Sequence, residues 1–300
     1  MRLDEKSAAG RPEPKLLISD LDGTLLDPDH ILRPRTRAMV RALRRAGVEV
    51  VLASGRIPPA MESICRELDL DGPQITTHGA MVVSPFSGEV VSRHPLGPDD
   101  VRAHLEFAQE IGVPAVLCYA DGFKVERMDP GIAAIFEPYD EPLPEVVPDL
   151  DQLAGSEPLK VYLWAEADQY ASVLAEARRR FEGRNTVTSG DERGVEFLAP
   201  DANKETAASE LAAAMGLDMA EVAAIGDGPN DVALLRSAGI SAAMAHASRE
   251  VQEAATYVVP SNREEGAAVA MARMFPSIPL PDTSDEAAPG RPHGPVRARG

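Results

Sequence analysis

Cysteine is nearly absent from this chain: Cys65 and Cys118 are the only two in 300 residues. Two isolated thiols make neither a disulfide framework nor a zinc-type pair, and a reducing cytoplasm is the expected home. No run of about 18 apolar residues occurs, so no membrane-spanning helix is expected. The polar stretch Met1 to Pro14 lacks the apolar segment of a secretory leader. Positive charge is in deficit as well, with 30 Lys and Arg against 48 Asp and Glu, a formal net charge of −18. That argues against a nucleic-acid groove, which needs clustered cations. An anionic substrate would need a bound cation and a few local positive groups to offset the field. What the chain does have is bulk. With 44% hydrophobic residues it can build a substantial core, and its length suits two domains of ordinary size.

Residues 1–14 are polar and hold two prolines, and 276–300 are rich in Pro, Gly and charge without apolar periodicity. Both are expected to be disordered tails. Between them, short apolar runs alternate with helical patterns. Lys15–Ser19 reads as a buried strand, and Pro34–Ala46 as a helix with Pro34 near its start and Gly47 past its end. Val48–Ala53 is the next strand, Pro59–Leu68 the next helix, and Gln74–Thr77 a weaker third strand. After residue 200 the alternation resumes with helix Lys204–Met215, strand Val222–Ile225, helix Asp231–Ser237, and strands Ile240–Ala243 and Tyr257–Val259. This predicts an α/β fold, a doubly wound and mostly parallel sheet covered on both faces.

The segment 85–198 reads differently. Strand-like pieces at Ala115–Tyr119, Phe123–Glu126, Leu159–Trp164, Thr186–Thr188 and Val195–Leu198 are separated in places by helical stretches at Asp100–Ile111 and Asp168–Phe181. Pro138–Pro148 is a proline-rich connector. An inserted α+β cap with an antiparallel sheet is expected here, placed to cover the active edge of the core. The core itself is then discontinuous, 15–84 and 199–275.

Four short motifs carry chemistry. Asp20-Leu21-Asp22-Gly23-Thr24 follows a buried strand, and ligands of open α/β sheets sit beyond the carboxyl ends of strands. Alternation puts Asp20 and Asp22 on one side, so one carboxylate can attack phosphorus while the other handles a proton. Gly23 permits a tight turn, and Thr24 can bond a phosphate oxygen or its own turn. Alone, such a string would often be an acidic turn. Ser54-Gly55-Arg56 ends the second strand and offers a hydroxyl and backbone N–H groups to a phosphate. Arg56 can face the site or remain a solvated loop charge. Lys204 opens a helix and can neutralise a nucleophile and hold phosphoryl oxygens, although most lysines are surface charges. Gly226-Asp227-Gly228-Pro229-Asn230-Asp231 follows another buried strand. Its carboxylates suit Mg²⁺, one as a direct ligand and one in support, or they cap a helix.

The order DLDGTLL, SGR, NK, GDGPND resembles the haloacid dehalogenase superfamily of phosphohydrolases, and more closely its Cof-type branch with a large cap (class IIB). The likeness spans roughly residues 15–275. It implies an aspartyl-phosphate on Asp20, with Asp22 as acid and base and its backbone carbonyl on Mg²⁺. It further implies carboxylate ligands from Asp20 and Asp227 supported by Asp231, phosphate contacts from Ser54 and Lys204, and Asn230 beside the phosphate. Thr24, Gly55 and Arg56 join the candidate phosphate-binding set. Two positions depart from the branch: His78 stands where it usually has Asn, and Glu205 where Gly is common. His78 either lines the site or is a harmless replacement, and Glu205 can favourably occupy a helix N-terminus.

The expected function is therefore a Mg²⁺-dependent, cytoplasmic phosphatase of a small phosphorylated metabolite, with neither nucleic acid nor membrane as a partner. A sugar phosphomutase or phosphotransferase on the same scaffold is the alternative, and a non-catalytic ligand-binding relative a more distant one. The cap should choose the substrate. Tyr119, Asp121, Lys124, Arg127 and Trp164 are within reach of it, but each reads first as ordinary cap surface or packing, and none is assigned to the site.

Overall fold

The computed structural model describes residues 13–128, 130–136, 139–189 and 194–281. The first part of the chain runs β1 (Leu16–Asp20), α1 (Pro34–Arg45), β2 (Glu49–Ala53), α2 (Pro58–Leu68), β3 (Gln74–Thr76), β4 (Met81–Val83) and β5 (Val90–Arg93). A middle section follows: α3 (Pro98–Ile111), β6 (Ala115–Cys118), β7 (Phe123–Val125), α4 (Pro130–Phe136), β8 (Glu145–Val146), β9 (Lys160–Trp164), α5 (Tyr170–Phe181), β10 (Thr186–Thr188) and β11 (Gly194–Leu198). The chain closes with α6 (Lys204–Ala214), β12 (Val222–Gly226), α7 (Val232–Ser237), β13 (Ile240–Met244), α8 (Arg249–Ala254), β14 (Tyr257–Val259) and α9 (Gly266–Met274).

Two sheets result. The larger has the order β14-β13-β12-β1-β2-β3-β4-β5, parallel from β14 to β3. Its strand β1 is apolar on both faces because both faces are covered. Leu17 packs with Met39, Leu43, Ile64 and Met271 of α1, α2 and α9. Leu16 and Ile18 point the other way, onto Ala208 and Leu211 of α6 and Leu235 of α7. From β1 the chain steps outward through β2 and β3, then returns after the middle section to β12 on the opposite side of β1. That reversal opens a crevice at the carboxyl ends of β1 and β12, the place where such sheets bind ligands.

The smaller sheet has the order β10-β11-β9-β6-β7-β8. Its pairs are antiparallel except β7 with β8, which is parallel. One face packs against α3 and α5 through Leu105, Phe107, Ala177 and Phe181. The other meets Ile57 and Ala60, at the start of α2, through Val116, Cys118 and Trp164. This is the inserted cap, and its open face lies over the crevice.

The structure departs from the sequence reading at several edges. The core sheet continues past residue 84, because the antiparallel strands β4 and β5 extend it to Arg93. These strands are only 3 and 4 residues long, too short for a periodicity signal. The supposed tail after 275 begins as part of the core: Ile278 and Leu280 pack against the α1–α9 layer, and Glu13 accepts hydrogen bonds from the Ser277 amide and hydroxyl. Residues 1–12 and 282–300, also expected to be disordered, lie outside the described residues. Among the described residues no helix is long and apolar enough to cross a membrane.

Candidate active site

At the end of β1 the chain turns on Gly23, whose φ of +86° favours glycine and whose missing Cβ leaves room for the Asp227 carboxylate. The turn presses Thr24 onto the loop after β12. Its hydroxyl donates to Oδ1 of Asp227 at 2.7 Å. Thr24 is thus an orienting partner of Asp227 and not the phosphate contact expected from the motif, because the turn aims its Oγ1 at the neighbouring loop.

Asp20 is buried, with a residual exposure of 8%. It faces Lys204, the first residue of α6, a helix capped by the Asn203 side chain on the Thr206 amide. The Lys204 ammonium donates to Oδ1 of Asp20 and, at 2.7 Å, to Oδ1 of Asp231. Oδ2 of Asp231 accepts the backbone N–H groups of Asp227 and Gly228. Asp231 therefore shapes the loop that presents Asp227, whose Oδ2 lies 3.2 Å from Nε2 of His246. Burial lifts the Asp20 carboxyl well above the ordinary carboxylate range; Lys204 pulls it back, while Asp231 and Asp227 push it up. Burial alone would lower Lys204, but its two carboxylate partners outweigh that and hold the ammonium above its usual range.

Oxygens of Asp20, Asp227 and Asp231 lie within 4.8 Å of one another. Three carboxylates against one ammonium leave an excess of negative charge in a buried place, and all the donors are hard oxygens. That donor set fits a divalent cation such as Mg²⁺. Asp231 is engaged by Lys204 and two backbone N–H groups, and Asp227 by Thr24 and His246, so all three carboxylates are candidates to hold the cation.

Asp22 sits on the outer side of the same turn and is gripped by Arg56. The guanidinium donates through Nε to Oδ2 at 2.9 Å and through Nη2 to Oδ1 at 2.6 Å, while Nη1 donates to the Tyr139 carbonyl at 3.0 Å. Arg56 is thus directed at Asp22 and at the cap, where the sequence left it between a phosphate contact and a solvated charge. His30, missed by the sequence reading, adds Nδ1 at 3.0 Å from Oδ1 of Asp22 and stands edge-on to Tyr139. Buried Asp27 orders its loop: Oδ1 accepts from the amides of Asp29 and Ile31, and Oδ2 from Arg33. Burial would raise Asp22, but the Arg56 charge and the His30 and Arg56 bonds prevail, and the carboxyl is held well below its ordinary range.

The sign of that shift sets a prediction. A depressed carboxyl stabilises the fold above the ordinary carboxylate pKa, and the contribution fades as pH falls through the depressed value. Arg56→Ala should therefore weaken acid resistance and move the acid limb of the pH–activity profile toward neutral, measured as kcat/KM against pH. An unmoved limb would contradict the pairing.

The third wall comes from the loops after β2 and β3. Ser54 is buried and lines the cavity. Gly55 leaves the slot occupied by the His78 ring, which a Cβ would strike. Thr77 and His78 both take left-handed backbone, with φ of 50° and 56°, a cost that non-glycine residues bear mainly at functional sites. His78 reaches Asn230 through Nδ1 at 3.0 Å and Glu196 of β11 through Nε2 at 2.7 Å. Asn230 is therefore occupied with His78, so the departure at 78 lies in the wall of the site.

Cap residues close a cavity of about 200 Å³ over these groups, lined from above by Phe123, Phe136, Glu141, Lys160, Tyr162 and Glu196. None of the cap candidates weighed from sequence is among them. The Tyr119 hydroxyl bonds Ser156, Lys124 pairs with Glu145, and Trp164 packs among apolar cap residues. Asp121 is exposed and Arg127 borders a different cleft. The missed signal was local: a Lys in KVYLW and a Glu in GVEFL, charges inside otherwise apolar strands.

The comparisons agree with this architecture. A model of haloacid dehalogenase-like hydrolases matches residues 17–271. YxeH of Bacillus subtilis strain 168 is 29% identical over 261 residues, covering 86% of this chain and 97% of that one. From the same organism, 5-amino-6-(5-phospho-D-ribitylamino)uracil phosphatase YcsE is 26% identical over 258 residues, covering 86% and 94%. The crystal structure of a haloacid dehalogenase-like hydrolase from Bacteroides thetaiotaomicron superposes with a TM-score of 0.77 at 26% identity, over 87% of this chain and all of that one. With a matched model over most of its length, a doubly wound core and a capped aspartate crevice, this chain belongs to the haloacid dehalogenase-like hydrolases.

Proposed function

We propose that the protein is a Mg²⁺-dependent phosphatase that hydrolyses a small phosphomonoester through an aspartyl-phosphate on Asp20. One observation carries this reading: Asp20, Lys204 and the Asp227–Asp231 loop, distant in sequence, converge at the crevice beside β1.

Asp20 attacks phosphorus, forming a carboxylate–phosphorus bond as the bond to the departing alcohol breaks. Lys204 stays beside Asp20 and balances charge on the phosphoryl oxygens. Bound Mg²⁺, held among Asp20, Asp227 and Asp231, supplies the neutralisation that lets a phosphate dianion approach a carboxylate. Asp22 gives a proton to the leaving oxygen, then takes one from the water that hydrolyses the phosphoenzyme. In the resting arrangement Arg56 keeps Asp22 ionised. An arriving phosphate competes for that guanidinium, and Asp22 is then free to take up the proton it donates.

The test is phosphate release from a metabolite panel with Mg²⁺ and with a chelator. Metal-dependent release from at least one ester is the expected result; none from any ester would remove the proposal. Binding is read independently by thermal unfolding. Mg²⁺ at about 100 times its dissociation constant should stabilise the fold by about 2.7 kcal/mol, and Asp227→Asn should abolish most of that gain.

A further inference from the structure

We infer that the cavity accepts the phosphate ester of an uncharged alcohol, and that Glu196 is the residue that turns away a second anionic group. This deepens the phosphatase reading and rests on it.

Glu196 lies on β11 and Lys160 on β9, with residual exposures of 3% and 6%. Their side chains meet at 2.6 Å, and the second Glu196 oxygen lies 2.7 Å from Nε2 of His78. Lys160 also reaches the Gly55 carbonyl at 3.4 Å, tying the pair to the phosphate end of the site. The other cation in the described cavity lining is Arg56, and it holds Asp22 with two donors. Each lining cation thus already has its carboxylate. Lys204 stands behind Asp20 and serves the reacting end.

No lining cation is left over. Glu141 adds a half-buried carboxyl, pushed up to about 7 by desolvation, with an oxygen accepting the Ile57 amide at 3.1 Å. Beside these groups on the cap, Phe123, Phe136 and Tyr162 give the cavity an apolar wall. A ring or carbon chain can lie on that wall while its hydroxyls meet the paired charges. A carboxylate or second phosphate in the same place would be buried against the ionised Glu196 without a cation to receive it, and like charges so placed are strongly disfavoured.

Two matched pairs of esters test this: phenyl phosphate against 4-carboxyphenyl phosphate, and sorbitol 6-phosphate against 6-phosphogluconate. The wild-type protein with Mg²⁺ should favour the uncharged member of a pair by about tenfold or more in kcat/KM. Glu196→Gln frees the Lys160 charge and should shrink or invert that ratio. Lys160→Met leaves Glu196 without its ammonium and should widen it. A structural role alone would lower both members in parallel, so parallel losses overturn the inference, as does a wild-type ratio near one or in favour of the anionic ester.

If either single variant fails to fold, the wild-type ratio and the double variant Lys160→Met/Glu196→Leu, which removes both charges together, still decide. The double variant should lower kcat/KM for the uncharged ester more than for the anionic one and bring their ratio toward one, and an unchanged ratio overturns the inference. Calorimetric binding of the same four esters to Asp20→Asn separates the two readings. Selective binding without phosphate release from the wild type would remove the phosphatase and keep the charge rule; failure to bind either member of either pair would remove the charge rule.

Discussion

Asp20→Asn is expected to abolish turnover by about 10⁴-fold or more, the scale on which a covalent nucleophile matters, without loss of the fold. Asparagine keeps an oxygen that can accept the Lys204 hydrogen bond, but it cannot form a phosphoenzyme. Acid-quenched wild-type protein should carry label from a phosphate-labelled ester, and the variant should carry none. Stability should move the other way. The Asp20 carboxyl is raised by burial and by Asp231 and Asp227, more than Lys204 offsets. A raised carboxyl stabilises fully below its ordinary pKa and loses that contribution as pH rises through the folded value. The variant should therefore melt above the wild type without divalent metal. That gap should widen with pH and shrink when Mg²⁺ is added to both. Near-normal turnover, or a variant that melts well below the wild type at neutral pH, would contradict the assignment.

Lys204→Met has the second large effect, and here stability falls together with activity. The Lys204 side chain is fully buried and pairs with both Asp20 and Asp231. Methionine fills similar volume without charge, leaving two carboxylates confined together. Breaking a buried pair in this way costs about 3–5 kcal/mol, read as a lowered denaturant midpoint, and phosphate release should fall by about 10²–10³-fold. Without the ammonium the Asp20 carboxyl rises further, so the deficit should be smaller at about pH 5 than at about pH 8. Adding Asp231→Asn should return part of the stability and none of the activity, because it removes one confined charge but restores no group for the phosphoryl oxygens. Simple addition of the two single losses would contradict the coupling, since groups in contact should depart from additivity by about 0.5–3 kcal/mol.

Much of the core was legible because its signals are local. The runs LLI and VAAI are apolar throughout, as strands buried on both faces must be, and the carboxylates that follow them emerge at the sheet edge. The helix opened by Lys204 likewise follows from its apolar pattern and the preceding Asn. Thr24 and Arg56 were legible as site residues, but their partners were not. Nothing near Thr24 in sequence names Asp227, 203 residues away. Nothing near Arg56 says whether Asp22 or a phosphate wins its two donors, a choice set by how two loops meet. His30 carried no signal beyond its loop, since its approach to Asp22 depends on the bonds radiating from Asp27.

The cap was harder for a related reason. The sequence located most of its strands, yet which of their residues face the crevice depends on register. Tyr162 pairs with Glu196 across β9 and β11, and Lys160 with Leu198; a slip of one residue would turn the charged pair to the other face. By itself, then, the sequence determined where the buried strands lie and which carboxylates stand at their ends, because apolar continuity and turn chemistry act over a few residues. The tertiary structure decided which charges meet, and therefore what the cavity admits. Electrostatic pairing is a matter of distance in space, and that distance is fixed only when the two sheets and their loops are assembled.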